Sequence, residues 1–170
     1  MRLNQGVEWA VHACTVLIGA PPGRGLSLAA LAEYHGVPAP YMAKQMQLLS
    51  KAGLVRTSRG KTGGYALARP ANAITLWDVT AAVDGPAPLF RCSEIRQRGP
   101  CAVGRADCLR PCQIAAAFAL AEEAWRGSLR AVTLADIAGS VVRDSRPEHM
   151  AQALSWLGAN LTELPAAKSG

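Results

Sequence analysis

Apolar residues return at helical spacing from the start of the chain. Val7, Ala10, Val11, Cys14, Leu17 and Ile18 make one stripe over about residues 4–20, which predicts an amphipathic helix. Glu8, Trp9 and His12 fall outside the stripe, and Pro21-Pro22-Gly23 closes the segment. A short helix follows with Ser27 as its N-cap and Leu28 and Leu31 on its apolar side. His35-Gly36-Val37 reads as a turn. From about Pro40 to Ala52 a further helix turns Met42, Met46 and Leu49 inward, with a proline at its start and Gly53 at its end.

The period then changes. Leu54–Ser58 and Tyr65–Ala68 read as two short strands around Arg59-Gly60-Lys61-Thr62-Gly63-Gly64, whose glycines permit a tight reversal. Another helix is expected from Thr75 to Gly85. Residues 86–111 show no clean periodicity. A long alanine-rich helix runs from Cys112 or Gln113 to Leu129, with Ile114, Phe118, Ala121 and Trp125 on one side. Thr133 caps a short helix to Val141, and Met150, Leu154 and Leu157 permit a last helix before a frayed end. The expected fold is mainly α with a small β-hairpin wing: a winged helix-turn-helix plus a long dimerisation helix. The corresponding division is a DNA-binding domain at 1–85, a cysteine-rich loop at 86–112, the dimerisation helix and its short successor at 113–142, and a tail at 143–170.

Charge sharpens the picture. The 170-residue chain has 18 Lys+Arg against 12 Asp+Glu, a net charge of +6. Between Tyr41 and Pro70 lie Lys44, Lys51, Arg56, Arg59, Lys61 and Arg69 and no acidic residue. A basic helix followed by a basic hairpin suits duplex DNA, the helix entering the major groove and the cations meeting phosphates. Pro40, Tyr41, Lys44 and Gln47 are the helix positions expected against DNA, together with Lys51 and Arg56. Arg59 and Lys61 at the hairpin tip would reach the backbone or the minor groove. No nucleophile–base motif appears, and Gly60–Gly64 lacks P-loop spacing, so no enzyme and no small-molecule substrate is implied.

Five cysteines, Cys14, Cys92, Cys101, Cys108 and Cys112, carry the remaining chemistry. With no signal-peptide layout and no apolar segment fit to span a bilayer, a cytoplasmic location without membrane attachment is expected, where clustered thiols suggest metal or redox roles. Cys92-x8-Cys101-x6-Cys108-x3-Cys112 matches no ferredoxin run, and it leaves an iron–sulfur cluster, zinc or a thiol–disulfide switch open. Cys14 lies on the apolar stripe and reads as core. Glu8 and His12, four residues apart, share one helix face.

Leu26–Ala32, Pro40-Tyr41-Met42, Lys51–Val55, the wing Arg59–Pro70 and Ile74–Val79 together resemble the winged-helix regulators typified by IscR and NsrR. The likeness continues through the cysteine loop and long helix to Thr133–Ile137. It implies a homodimer with crossed long helices on a palindromic operator. Gly6–Ala10, His12, Lys44–Gln47 and Glu94–Pro100 resemble the RsrR-like branch of that family. That branch implies a 2Fe–2S cluster held by two cysteines of one subunit and a Glu and a His of the other. By position these are Glu8 and His12, with Cys108 and Cys112 as the thiolates and Cys92 or Cys101 as substitutes. Trp9, a bulky indole beside Glu8 that can repack, is a candidate redox relay between cluster and DNA, with His35 in the helix-turn-helix turn as the residue coupled to it. The alternatives are a winged-helix regulator switched by zinc or a disulfide, and a small iron–sulfur electron carrier.

Overall fold

The computed structural model describes residues 3–58 and 63–164, so the wing tip with Arg59 and Lys61 lies outside the described residues. Helix α1 (Gln5–Ile18) begins where the Asn4 side chain accepts the Gly6 N–H and ends at Gly19, ahead of the proline pair. Its stripe is the centre of the core: Ala10, Ala13 and Cys14 are fully buried, and Leu17 nearly so. Helices α2 (Leu28–His35) and α3 (Ala39–Lys51) form the helix-turn-helix. Ser27 caps α2 by accepting the Ala30 N–H at 3.1 Å, and Gly36 takes the left-handed conformation (φ 61°) that lets the chain turn into α3. On α3, Met42, Met46 and Leu49 are buried as their spacing predicts, and Gln45 is buried beside them.

The wing strands β2 (Val55–Thr57) and β3 (Tyr65–Leu67) pair antiparallel, but they are half of a larger sheet. Strand β1 (Arg24–Leu26), between α1 and α2, joins β3, and β4 (Leu161–Glu163) joins β1, giving the order β2-β3-β1-β4. The expectation of a frayed tail is therefore corrected up to Leu164. Helix α7 (Pro147–Asn160) leads into β4, which pairs Thr162 with Gly25 and Leu161 with Leu26. Neither three-residue strand is long enough to show a period of its own.

Helix α4 (Leu76–Asp84) and helix α6 (Leu134–Asp144) start with identical devices. In each, a threonine accepts a backbone N–H from the aspartate three residues on, and that carboxylate accepts the threonine N–H in return: Thr75 with Asp78 and Thr133 with Asp136. The two caps are stitched together, because Leu76 N–H donates to Val132 O and Leu134 N–H to Ile74 O, both at 2.9 Å. Helix α5 (Gln113–Arg130) stands apart: none of its residues is buried, and Ile114, Phe118 and Leu120 are each more than half exposed. Ile114 and Phe118 lie on one side of the helix, and that side is only partly covered by the described residues, with Phe90 against Phe118.

Candidate nucleic-acid interface and thiol site

The α3 surface carries the expected row. Pro40, Tyr41, Lys44, Gln47 and Lys51 are exposed, while the opposite face is in the core. Arg56 on β2 and Arg69 after β3 border the same surface hollow as Arg24 of β1. Arg24, paired with Glu163 at 3.5 Å, escapes sequence reasoning because it comes beside Arg56 and Arg69 at this hollow only through the pairing of distant strands.

Helix α1 lies directly behind that surface. The rings of Trp9 and Tyr41 meet at 5.8 Å, and the Gln45 side chain covers Gly6, where a Cβ would come within 2.7 Å of Gln45 Oε1. His35 contacts His12 at 5.7 Å and Tyr34 at 4.9 Å. Trp9 thus lies against the recognition helix and His12 against the end of α2. Side chains one turn apart on a helix meet different neighbours where different elements pack beside them. Burial, helped by the nearby His12, lowers the His35 pKa, and its Nε2 is buried without a hydrogen-bond partner.

In the cysteine loop two thiols come together. Cys92 Sγ and Cys112 Sγ are 4.0 Å apart, although twenty residues separate them in the chain. Cys112 is the N-cap of α5, and its sulfur accepts the Ala115 N–H at 3.3 Å. That amide, aided by Cys92, the Ile114 amide and Arg96, outweighs desolvation and holds the Cys112 thiol below its ordinary pKa. At Cys92 the Glu94 amide pulls downward, but desolvation and hydrogen bonds with Cys112 and the Glu94 carboxylate leave the thiol above its ordinary value. Cys108 is half-buried and Cys101 exposed.

The loop is held by groups that its aperiodic sequence does not announce. Arg96 clamps Glu94 at 2.8 Å and donates to Arg110 O at 3.1 Å, closing the loop between the two thiols. Glu94 bends the chain with φ 48°, the one positive value at a non-glycine among the described residues. Phe90 stacks on Phe118 of α5 at 4.5 Å, and Glu122 accepts the Leu89 N–H while it pairs with Arg126. Arg126 in turn lies over Trp77 of α4 at 4.6 Å. The alternation of Phe90, Glu94 and Arg96 around Cys92 was the available signal, but without periodicity it fixes no partner.

Glu8 and His12 are exposed on one face of α1, bordering a hollow shared with Leu129 of α5 and Ile137 of α6. Among the described residues, no three His, Cys, Asp or Glu side chains of one chain converge on a common point. The thiol pair and the Glu8–His12 pair are therefore separate groups within one chain. Each is accessible, and each supplies donors of a kind iron accepts. The 4.0 Å sulfur spacing is near the roughly 3.8 Å that two thiolates adopt on one tetrahedral metal, so the thiol pair fits two ligands of one metal ion.

Cys14 is different: it is fully buried, and desolvation pushes its thiol up to about 12. In metal-free, reduced protein, a thiol-titrating disulfide reagent should count the four loop cysteines quickly and Cys14 only after denaturation. Fast reaction of all five would contradict a core position.

The family model for Rrf2, described as an iron-dependent transcriptional regulator, matches residues 3–140. "Putative HTH-type transcriptional regulator Rv1287" of Mycobacterium tuberculosis is 33% identical over 159 residues, covering 89% of this chain and 88% of its own length. The fold resembles IscR of T. potens (TM-score 0.61, 22% identity, 89% of this chain and 96% of that one). It also resembles the oxidised form of Staphylococcus aureus CymR (TM-score 0.59, 22% identity, 81% of this chain and 96% of that one).

Proposed function

This chain belongs to the Rrf2 family of transcriptional regulators, a non-enzymatic DNA-binding family, and from that premise we propose that it is a cytoplasmic homodimer that reads a palindromic operator under redox control. The control group is a 2Fe–2S cluster held by two thiolates of one subunit and by Glu8 and His12 of the other. Cys112 is one thiolate. The observation that carries the reading is its 4.0 Å approach to Cys92, which favours Cys92 over Cys108 as the second. The separation of the two groups within one chain, together with an α5 whose apolar side is only partly covered, supports completion by a second copy.

When bound, the cluster supplies reversible one-electron chemistry, with a potential raised by histidine relative to an all-thiolate site. The protein's own residues carry the consequence. Glu8 and His12 tie α1 to the site; Trp9 and Gly6 press α1 on Tyr41 and Gln45 of α3. A small shift of α1 therefore moves the helix that carries Lys44 and Gln47. Arg96, beside Cys108 and Cys112, offsets negative charge on the thiolates.

Anaerobic purification with iron and sulfide analysis tests this reading: roughly two of each per chain, with visible absorbance bleached by reductant, is expected. A colourless protein that stays iron-free after anaerobic reconstitution would sink it. One further reading has support, because the same thiol pair also suits a Cys92–Cys112 disulfide switch. In that case peroxide treatment lowers the chain mass by two hydrogens and changes operator affinity without any metal. A colourless protein carrying stoichiometric zinc would instead mark a zinc-switched regulator.

On DNA, affinity should fall steeply with salt, because each neutralised phosphate releases counterions. Lys44→Ala should lower affinity for operator and non-operator duplexes alike and reduce the log–log salt slope by about one. An unchanged slope in a fluorescence-anisotropy titration would remove Lys44 from the phosphate-contacting set.

A further inference from the structure

Between the end of α4 at Asp84 and the single turn at Ile95–Gln97 the chain forms neither helix nor strand. Side-chain contacts therefore decide where Cys92 sits. After Cys92, Arg96 clamps Glu94; before it, Phe90 stacks on Phe118. Nearer still to α4, the loop is fastened by Arg126 of α5. Its guanidinium donates to Pro86 O at 2.9 Å and to one oxygen of Glu122, whose other oxygen accepts the Leu89 N–H at 3.1 Å. Cys112 caps the same helix, so fastening the loop to α5 brings Cys92 alongside it.

Arg126 also reaches the other way. It lies over the Trp77 ring of α4, 4.6 Å from the centroid, and Trp77 meets Trp125 edge-on at 5.9 Å. Helix α4 in turn packs on α1 and on the recognition helix α3. One side chain thus touches the start of the cysteine loop, the long helix and the helix behind the DNA-facing surface.

Stability alone is a poor reason for this arrangement. The Arg126 and Glu122 side chains are only 18% and 11% exposed, so both charges have given up most of their water. Arg126 Nε is buried with no hydrogen-bond partner, a penalty that an apolar side chain resting on Trp77 would avoid. What a guanidinium adds is geometry. Its planar fork bonds a carbonyl and a carboxylate while its face rests on an indole, which the compact ammonium of lysine does not reproduce.

We propose that Arg126 is a positioning residue of the thiol site. With Glu122 it holds residues 86–90 on α5 so that Cys92 stays beside Cys112, and through Trp77 it passes a change at that pair to α4. The first role is independent of what the thiols bind; the second rests on the redox control proposed above.

The first role is tested on metal-free, reduced, full-length protein treated with diamide. Diamide takes up two electrons and the two thiol hydrogens as the S–S bond forms, and peptide mass identifies the Cys92–Cys112 product. Arg126→Met, which keeps the packing on Trp77 and removes the fork, should form this disulfide about tenfold more slowly than the wild type, with native circular dichroism. Arg126→Lys should behave like the methionine variant, and it decides the matter alone if Arg126→Met does not fold. In a Cys92→Ser background, alkylation of Cys112 by iodoacetamide should proceed at one rate with either Arg or Met at 126, because position and not thiol reactivity has changed. A wild-type disulfide rate in Arg126→Met, full rescue by lysine, or a matching loss of Cys112 alkylation would each overturn the positioning role.

The second role is read from operator affinity in oxidised and reduced protein. Trp77→Leu should keep the wild-type disulfide rate yet bring the ratio of the two affinities towards one. An unchanged ratio in that variant would overturn the coupling through Trp77. A ratio of one in the wild type would sink redox control and the coupling with it, leaving the disulfide rate to decide the positioning role.

Discussion

Cys112→Ser is expected to yield a folded, colourless protein with iron below about a tenth of the wild-type content. Serine is the informative replacement because Cys112 does two things. Its sulfur caps α5 by accepting the Ala115 N–H, and it lies 4.0 Å from Cys92. Serine is a preferred N-cap, so the helix start survives while the soft thiolate is lost. Alanine would confound the two roles, since losing a cap costs about 1 kcal/mol by itself. The neighbouring cysteines supply the contrast. Cys92→Ser should match Cys112→Ser in iron loss, whereas exposed Cys101→Ser should retain the cluster. Cys108→Ser decides between the pairings: retained iron supports Cys92 with Cys112, and lost iron restores Cys108 as ligand. Full iron and unaltered visible absorbance in Cys112→Ser, measured on anaerobic protein, would remove the thiol site from the cluster reading.

Gly25→Ala is expected to destabilise the fold by about 3 kcal/mol or more, lowering the melting temperature by roughly 6–12 °C. Gly25 sits in the middle of β1, paired on one side with β3 and on the other with β4. An added Cβ would collide with the Tyr65 carbonyl oxygen and a Leu164 methyl, and it would lie 2.9 Å from the Tyr65 carbonyl carbon. The Leu164 side chain can rotate, but the Tyr65 backbone cannot retreat without opening the sheet that seats the wing. Gly158→Ala is the control. It lies within α7 with open space around the would-be Cβ, so alanine's better helix propensity should leave stability unchanged or slightly raised. Equal melting curves for the two variants would show that the close approach at Gly25 is relieved at little cost.

Much of this protein is local, and local features are legible in order of residues. A threonine followed three positions later by aspartate announces both capping boxes, because the groups that satisfy each other lie within one turn. The Met42, Met46 and Leu49 spacing settles which side of α3 is buried, and so which side offers Lys44 and Gln47 outward. Cys14 falls on the core stripe and is buried for the same reason. Features that join distant segments have no such signature. β1 and β4 are three residues each and find one another across the chain, so their pairing depends on where α1 and α7 deliver them. Cys108 is nearer than Cys92 to Cys112 in sequence, yet Cys92 is the one brought alongside. The Phe90–Phe118 stack and the Arg96 clamp, both tertiary contacts, hold the loop folded back on α5. Trp9 and His12, three residues apart on one helix, part company because α3 lies beside one and α2 beside the other. Periodicity assigns a residue to a face; only the packing of helices and sheet decides what that face meets.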